Sequence, residues 1–404
     1  MVRKGRWKKR VLMMLCLILV GGMLAGCSGF GQGSAPKEIV IGASIPMTGA
    51  LSAFGSYEKW GYETAVKEVN DAGGIQIGNR KVPVKLILYD DESRPEKATS
   101  NVQRLVTRDK AVALLGSATP PLVLAGAEVA ERNKVPFVTG IAPIRAFLSA
   151  RTDWQYVWDI FFDELNMTQV PFKVLDQLDT NRKVALFTDN EADGVQMGKL
   201  WNEYAPQYNY EIVYHASFPV GTTDYGDMIR RAQEAGAEIV IAQMITPDTI
   251  SLWKQMETLG YKPKAAFLEK GAEPVEFYEA LGKSAEGVMV SGYWYPFTEE
   301  GKQLRDRFEK ETGNTYSQHI ADTYVAAKVL LDAIARAGSL DAEDIAKAID
   351  ETDKEYVIGH INFKKGEPHT SELPTFMLQW QNGDTQVVFN EHGETTADII
   401  FPLP

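Results

Sequence analysis

From Glu38 onward, short runs of β-branched and aliphatic residues alternate with amphipathic stretches of helical period, and that alternation leaves few folds open. Residues 39–42 read as a strand buried on both faces. Residues 57–70 follow with Trp60, Ala65, Val66 and Val69 at helical spacing, stopped by Gly73 and Gly74. Residues 82–88 alternate as a strand, and residues 95–107 place Ala98, Val102, Leu105 and Val106 on one helix face. Further strand runs occupy 111–115, 136–138, 184–187, 211–214, 239–242, 265–268 and 288–290, most of them separated by helical stretches. Such an order predicts an α/β protein with parallel sheets covered on both faces. The spacing breaks near 154–160, where aromatic residues cluster, and a body of roughly 370 residues predicts more than one core. After Ser291 come long helices at 299–311 and 321–337, the second ended by Gly338, and a third capped by Asp341. Three short β-like segments close the chain, at 358–363, 375–381 and 386–389.

The N-terminus has a separate character. Six basic residues between Arg3 and Arg10 precede an uninterrupted apolar run at 11–20, which is the layout of a secretory signal and is too short to span a bilayer. Leu24-Ala25-Gly26-Cys27 resembles a bacterial lipobox, so cleavage is expected to leave lipid-bearing Cys27 as the new N-terminus, with residues 1–26 removed and 27–37 as a Gly/Ser tether. Cys16 falls in the removed segment, so the folded body has no cysteine for a disulfide, thiolate metal site or nucleophile. Removing six basic residues from 42 leaves 36 against 54 acidic, a net charge of −18. That balance argues against nucleic acid as a partner and against an anionic lipid surface. No second apolar run approaches spanning length.

Catalytic constellations are missing from the sequence. Gly42-Ala43-Ser44-Ile45-Pro46 lacks the second glycine of a dinucleotide loop, and Phe277 stands where a phosphate loop ending at Gly282-Lys283-Ser284 needs a glycine. The five histidines, at 215, 319, 360, 369 and 392, include no metal-binding helical pair, and Asp90-Asp91-Glu92 reads as a solvated strand end. Neither an enzyme, nor a cofactor, nor a metal site is expected.

Positive signals come from an ordered set of segments. The opening Ile39 to Gly49, then Ala53-Phe54-Gly55, then Val69-Asn70-Asp71-Ala72-Gly73-Gly74, resembles branched-chain amino-acid-type periplasmic binding proteins. The acidic turn Asp90 to Pro95, Gly221-Thr222-Thr223-Asp224-Tyr225, Ala285-Glu286-Gly287-Val288, Ala337-Gly338-Ser339 and Val357-Ile358-Gly359 match later landmarks in order. The resemblance implies a type I binding-protein fold, two doubly wound parallel-sheet lobes joined by three crossings. Those crossings are expected near Trp158-Asp159, Gly292 and Val357, giving lobe one as 38–158 with 292–356 and lobe two as 159–291 with 357–404. It further implies a monomeric, extracytoplasmic, lipid-anchored protein that hands a small solute to an ABC permease and ATPase. A lipid-tethered sensor with a membrane signalling partner would use the same cleft.

Ligands of such folds sit beyond the carboxyl ends of the strands, where helix N-termini point outward. The strand ends therefore nominate Phe54, Ala118, Thr119, Thr139, Gly140, Ile141 and Ala142 in lobe one, and Asp193, Met244, Ile245, Glu269 and Lys270 in lobe two. Tyr293, Trp294 and Tyr295 are candidates for an aromatic wall. Amino-acid binders of the family place hydroxyl-rich residues where Ile141 and Ala142 stand, a tyrosine where Asp193 stands, and an acid for the ligand ammonium at Lys270 or, with a one-residue slip, Glu269. The charged contact thus stays open between Glu269, Lys270 and Asp193. An amino acid, an amide or a small carboxylate with an apolar or aromatic body fits these departures. Cys27 lies outside every predicted core segment, so Cys27→Ser should release the protein from the membrane without lowering its melting temperature. Retention of that variant on membranes washed with high salt would sink the lipobox assignment.

Overall fold

The computed structural model describes residues 36–404, so the expected signal segment, Cys27 and nearly all of the tether lie outside the described residues. In chain order the strands are β1 (Ile39–Ile45), β2 (Ile75–Ile77), β3 (Arg80–Val82), β4 (Val84–Asp90), β5 (Ala113–Leu115), β6 (Phe137–Thr139), β7 (Val157–Phe161), β8 (Lys183–Asp189) and β9 (Glu211–Phe218). They continue with β10 (Ile239–Met244), β11 (Ala265–Lys270), β12 (Met289–Gly292), β13 (Asp353–Tyr356), β14 (Gly359–Asn362), β15 (Thr370–Glu372), β16 (Phe376–Gln381) and β17 (Asp384–Phe389). Two sheets organise the chain. The first runs β4-β1-β5-β6-β7-β15 with every pairing parallel, and the second runs β9-β8-β10-β11-β12-β16-β17 with only the last two pairings antiparallel. Strands β2 and β3, and β13 and β14, form separate hairpins. Among the described residues no helix is long and apolar enough to cross a membrane.

The residues account for these elements. Strands β8, β10 and β11 are buried almost end to end, as near-continuous apolar runs must be when helices cover both sheet faces. Each lobe closes on its own core, one around Leu105, Leu114, Phe137 and Phe147, the other around Phe187, Val240, Leu268 and Phe277. Asp341 caps the helix Ala342–Asp350 by accepting from the N–H groups of Glu343 and Asp344, and Gly338 ends His319–Ala337 in a left-handed conformation.

Two sequence expectations change. The crossing expected at Trp158-Asp159 comes later, because β7 pairs with β6 as far as Asp159 and with β15 as far as Phe161, so the chain leaves the first sheet only at 162–163. The crossing expected at Val357 falls at 373–375 instead. Hairpin β13–β14 stays with the first lobe, where Lys354 Nζ and Tyr356 OH reach Asp332 of the helix His319–Ala337, and β15 then pairs with β7. β15 is only Thr-Ser-Glu, with no apolar period to betray it. The second crossing lies at Gly292, where β12 ends.

The first helix also starts earlier than its apolar period suggests, at Ser52 rather than 57, with Gly55 in its first turn. A Cβ on Gly55 would lie 2.0 Å from the carbonyl oxygen of Pro46, a backbone atom with no freedom to swing aside. This contact seats the helix against the end of β1 and so positions Phe54. Gly55→Ala should therefore destabilise the fold by about 1–3 kcal/mol, the usual range for overpacking a tight site. An unchanged denaturant midpoint for that variant would show that the loop at Pro46 yields easily.

Candidate ligand-binding cleft

In both lobes the first five strands follow the order 2-1-3-4-5, reversing direction between the first and third strand, and ligands settle in the crevice at such a reversal. Here the two crevices face one another across a narrow space of about 320 Å³ that is partly open to solvent. The first lobe contributes Phe54 after β1, Thr119 and Pro120 after β5, and Ile141 and Pro143 after β6. Phe161 and Phe162 line it from the first crossing. The second lobe contributes Asp193 after β8, Gln243 from β10, Glu269 and Lys270 from the end of β11, and Glu273. One wall is thus apolar and the other polar. Thr119 and Lys270 both hold positive φ angles, +64° and +66°, strained values for side-chain-bearing residues that mark sites where the surroundings dictate the backbone.

Lys270 is buried, and its ammonium sits 2.9 Å from Asp193, 3.2 Å from Glu191 and 3.8 Å from Asp189. Burial alone would favour a neutral amine, but these three carboxylates outweigh it and hold the lysine charged. The pairing holds Asp193 below its ordinary range against the cost of burial. Asp189, more distant from the ammonium, is pushed by burial up to about 7. Asp189, Glu191 and Asp193 converge closely enough to suggest a metal cage, yet the lysine occupies that position as their cation.

His319 begins the helix His319–Ala337 of the first lobe and reaches across the cavity. Its Nε2 lies 2.7 Å from Glu273 of the second lobe, and its Nδ1 lies 2.9 Å from Asp322, which also accepts the Tyr293 hydroxyl at 2.5 Å. Phe54 packs its edge against the imidazole with centroids 4.9 Å apart. Burial pulls the imidazole's pKa down, but the two carboxylates prevail and push it up to about 9, so the ring is an imidazolium at neutral pH. Glu273 is lowered in return, burial being overcome by its hydrogen bond with His319. Glu269, buried beside Glu273, is held well above the usual carboxylate range by burial and then by that neighbour's charge.

Two apposed α/β lobes thus meet at their switch points, and residues 38–385 match a known family model, described as periplasmic binding protein. The chain belongs to the periplasmic binding protein family. Among curated relatives, the Leu/Ile/Val-binding protein homolog 7 of Brucella suis is 24% identical over 398 residues, covering 93% of this chain and 96% of the relative. The leucine-binding protein LivK of Thermotoga maritima superposes with a TM-score of 0.77 at 26% identity, covering 87% of this chain and 99% of that one. The substrate-binding protein LivJ of Streptococcus pneumoniae, solved with isoleucine, gives a TM-score of 0.77 at 22% identity over 91% and 100% of the two chains. This family and these neighbours are binding proteins, not enzymes, and membership implies a location outside the cytoplasm.

Within this periplasmic binding protein, the structure brings Phe54, Thr119, Ile141, Asp193, Glu269 and Lys270 to the cavity surface. The other nominated residues do not line it. Ala118 and Thr139 lie fully buried next to the wall, Gly140 packs against the backbone of Asp322, and Ala142 and Met244 belong to the two lobe cores. Ile245 is buried at the start of the helix Thr246–Thr258. Trp294 turns away, donating its indole N–H to the carbonyl of Val357 and meeting Tyr316 edge-on. Tyr295 instead packs on Phe297, while Tyr293 is buried behind His319. The sequence did not single out His319, which follows no strand, or Glu273, which stands three residues past the end of β11. His319 stands two residues before the helix expected at 321–337 and is in fact the first residue of the largely buried helix His319–Ala337.

The His319 pair generates a pH dependence. An imidazole near 6.5 in the unfolded chain and about 9 in the fold contributes stability that is complete below about 6.5 and is lost as pH rises through 9, roughly 3 kcal/mol in all. Melting temperature should accordingly fall between about pH 7 and pH 9.5, and Glu273→Gln should flatten that slope. A wild-type melting curve level across this window would contradict the ion pair.

Proposed function

We propose that the protein is the solute-binding lipoprotein of an ABC importer, anchored through Cys27, that captures a small compound of the amino-acid-related class and delivers it to the permease. The observation carrying this reading is the cavity itself. It lies at the switch points of both lobes, one wall apolar and the other polar, so a bound solute touches both halves. Contacts made to both lobes favour the closed arrangement over the open one, and that differential affinity is what drives hinge closure. The relatives' names, Leu/Ile/Val-binding and leucine-binding, support an amino-acid-related solute with an apolar body. Phe54, Ile141, Phe161 and Phe162 offer that body an apolar surface.

A ligand that binds only the closed native state stabilises it by mass action, by about 2.7 kcal/mol at a concentration of 100 Kd. Native mass spectrometry of the purified protein should reveal a co-purifying small molecule, and re-adding it after refolding should restore the higher melting temperature. A protein that carries no compound, and whose melt no amino acid, amide or small acid moves, would refute the reading.

A further inference from the structure

The hydrogen-bonding groups left free in the cleft are strongly one-sided. Four lining residues carry a buried polar atom without a partner: Asp193 Oδ1, Gln243 Oε1, Glu269 Oε1 and Thr119 Oγ1, on residues that are 2, 2, 1 and 4% exposed. Three are carbonyl or carboxyl oxygens, and the fourth is a hydroxyl that turns either way. The Gln243 amide is oriented by its own N–H, which donates to Asp193 Oδ2 at 3.0 Å and so leaves its oxygen without a partner. The charged donors are already engaged. Lys270 is held by its three carboxylates, and both ring nitrogens of His319 are paired.

A usual means of holding a carboxylate is also closed off at two helix starts of the apolar wall. A helix start offers free N–H groups and the positive end of the dipole to an anion. The helix Thr119–Asn133 opens Thr-Pro-Pro, so Pro120 and Pro121 have no N–H to give, and that of Thr119 donates to the carbonyl of Ile141. At the start of Ile144–Ala150, the N–H of Ile144 goes to the carbonyl of Phe162, while those of Arg145 and Ala146 are taken by the Glu164 carboxylate at 2.7 and 2.8 Å. These two helix starts at the apolar wall thus keep no donor for an anion.

Charge points the same way. Two cationic side chains, Lys270 and His319, stand among six carboxyl groups, Asp193, Glu269 and Glu273 on the cavity wall and Asp189, Glu191 and Asp322 against the cations. Burial holds Glu269, which no cation reaches, well up, and it raises Asp322 to about 6 even though His319 opposes it.

We propose that the ligand is held by a cationic nitrogen, an ammonium or amidinium group on a compact apolar body, and that it carries no carboxylate. The nitrogen donates to Asp193 Oδ1, Gln243 Oε1 and Glu269 Oε1, and the body lies against Phe54, Ile141 and Phe162. This rests on the reading of the cleft as a small-solute site and narrows it.

Matched probes test it on the full chain by isothermal titration: 3-methylbutylamine and 2-phenylethylamine, the acids 4-methylpentanoate and 3-phenylpropanoate, and the zwitterions leucine and phenylalanine. The amines should bind at least ~10-fold more tightly than the acid or zwitterion of the same body, the ratio expected when one charged contact decides. Titration in buffers of different ionisation enthalpy should show about one proton released on amine binding, as Glu269 ionises against the new cation, and Glu269→Gln should abolish that release. Acids or zwitterions binding as tightly as the amines would overturn the proposal and leave the solute-binding reading intact. A panel silent throughout, on a protein carrying no endogenous compound, would overturn the solute-binding reading and the proposal with it.

Discussion

The first five strands of each sheet must run in one direction, because successive strands are joined by helices that return the chain to the starting edge. That constraint gathers the carboxyl ends on one edge of each lobe. It is why residues as distant in sequence as Phe54, Thr119 and Ile141 meet on a single wall, and why Asp193, Gln243 and Lys270 meet on the other. The crossings at 162–163, Gly292 and 373–375 then set the two edges against each other. The site thus belongs to the topology first and to its side chains second.

What the side chains add is a charge arrangement that only a dry cavity makes consequential. In water the carboxyl groups around Lys270 and His319 would each keep their own solvation. Buried, each must find a cation or a proton, and the two cations present cannot serve all of them. Asp193 and Glu273 obtain one and are lowered; Glu269 obtains none and is raised. At two helix starts of the apolar wall the first-turn N–H groups are missing, in Pro120 and Pro121, or are taken by the carbonyls of Ile141 and Phe162 and by Glu164, so those positive helix ends are spent inside the protein.

Fold and lobe count were legible because parallel strands buried on both faces leave long aliphatic runs, as in β8, β10 and β11, that no other environment demands. The third crossing was illegible because β15 pairs through its backbone alone, and Thr-Ser-Glu gives no pattern to read. For the site, strand ends located six of the nominated residues on the cavity surface, since the loop after each strand is short and its direction fixed. They failed for Met244, Ala142 and Trp294, where one residue's rotation decides between cavity and core. His319 and Glu273 were out of reach for a different reason. Their roles arise from a pairing across the two lobes, 46 residues apart, which local period cannot encode.

The two buried ion pairs differ in what they do to hinge motion. Lys270 and all three of its carboxylates belong to the second lobe, so opening the cleft leaves that cage whole. His319 belongs to the first lobe and Glu273 to the second, and opening parts them. Removing one partner of a buried pair typically costs about 3–5 kcal/mol because the other charge is stranded in a dry site. Opening strands neither, since water enters and solvates both, and the penalty is correspondingly smaller. Asp322 moves with His319 on the same helix and keeps the imidazolium partnered in the open arrangement. The pair therefore favours closure modestly without locking it. A binding protein needs that balance, because a latch strong enough to close the empty cleft would also keep solute from entering.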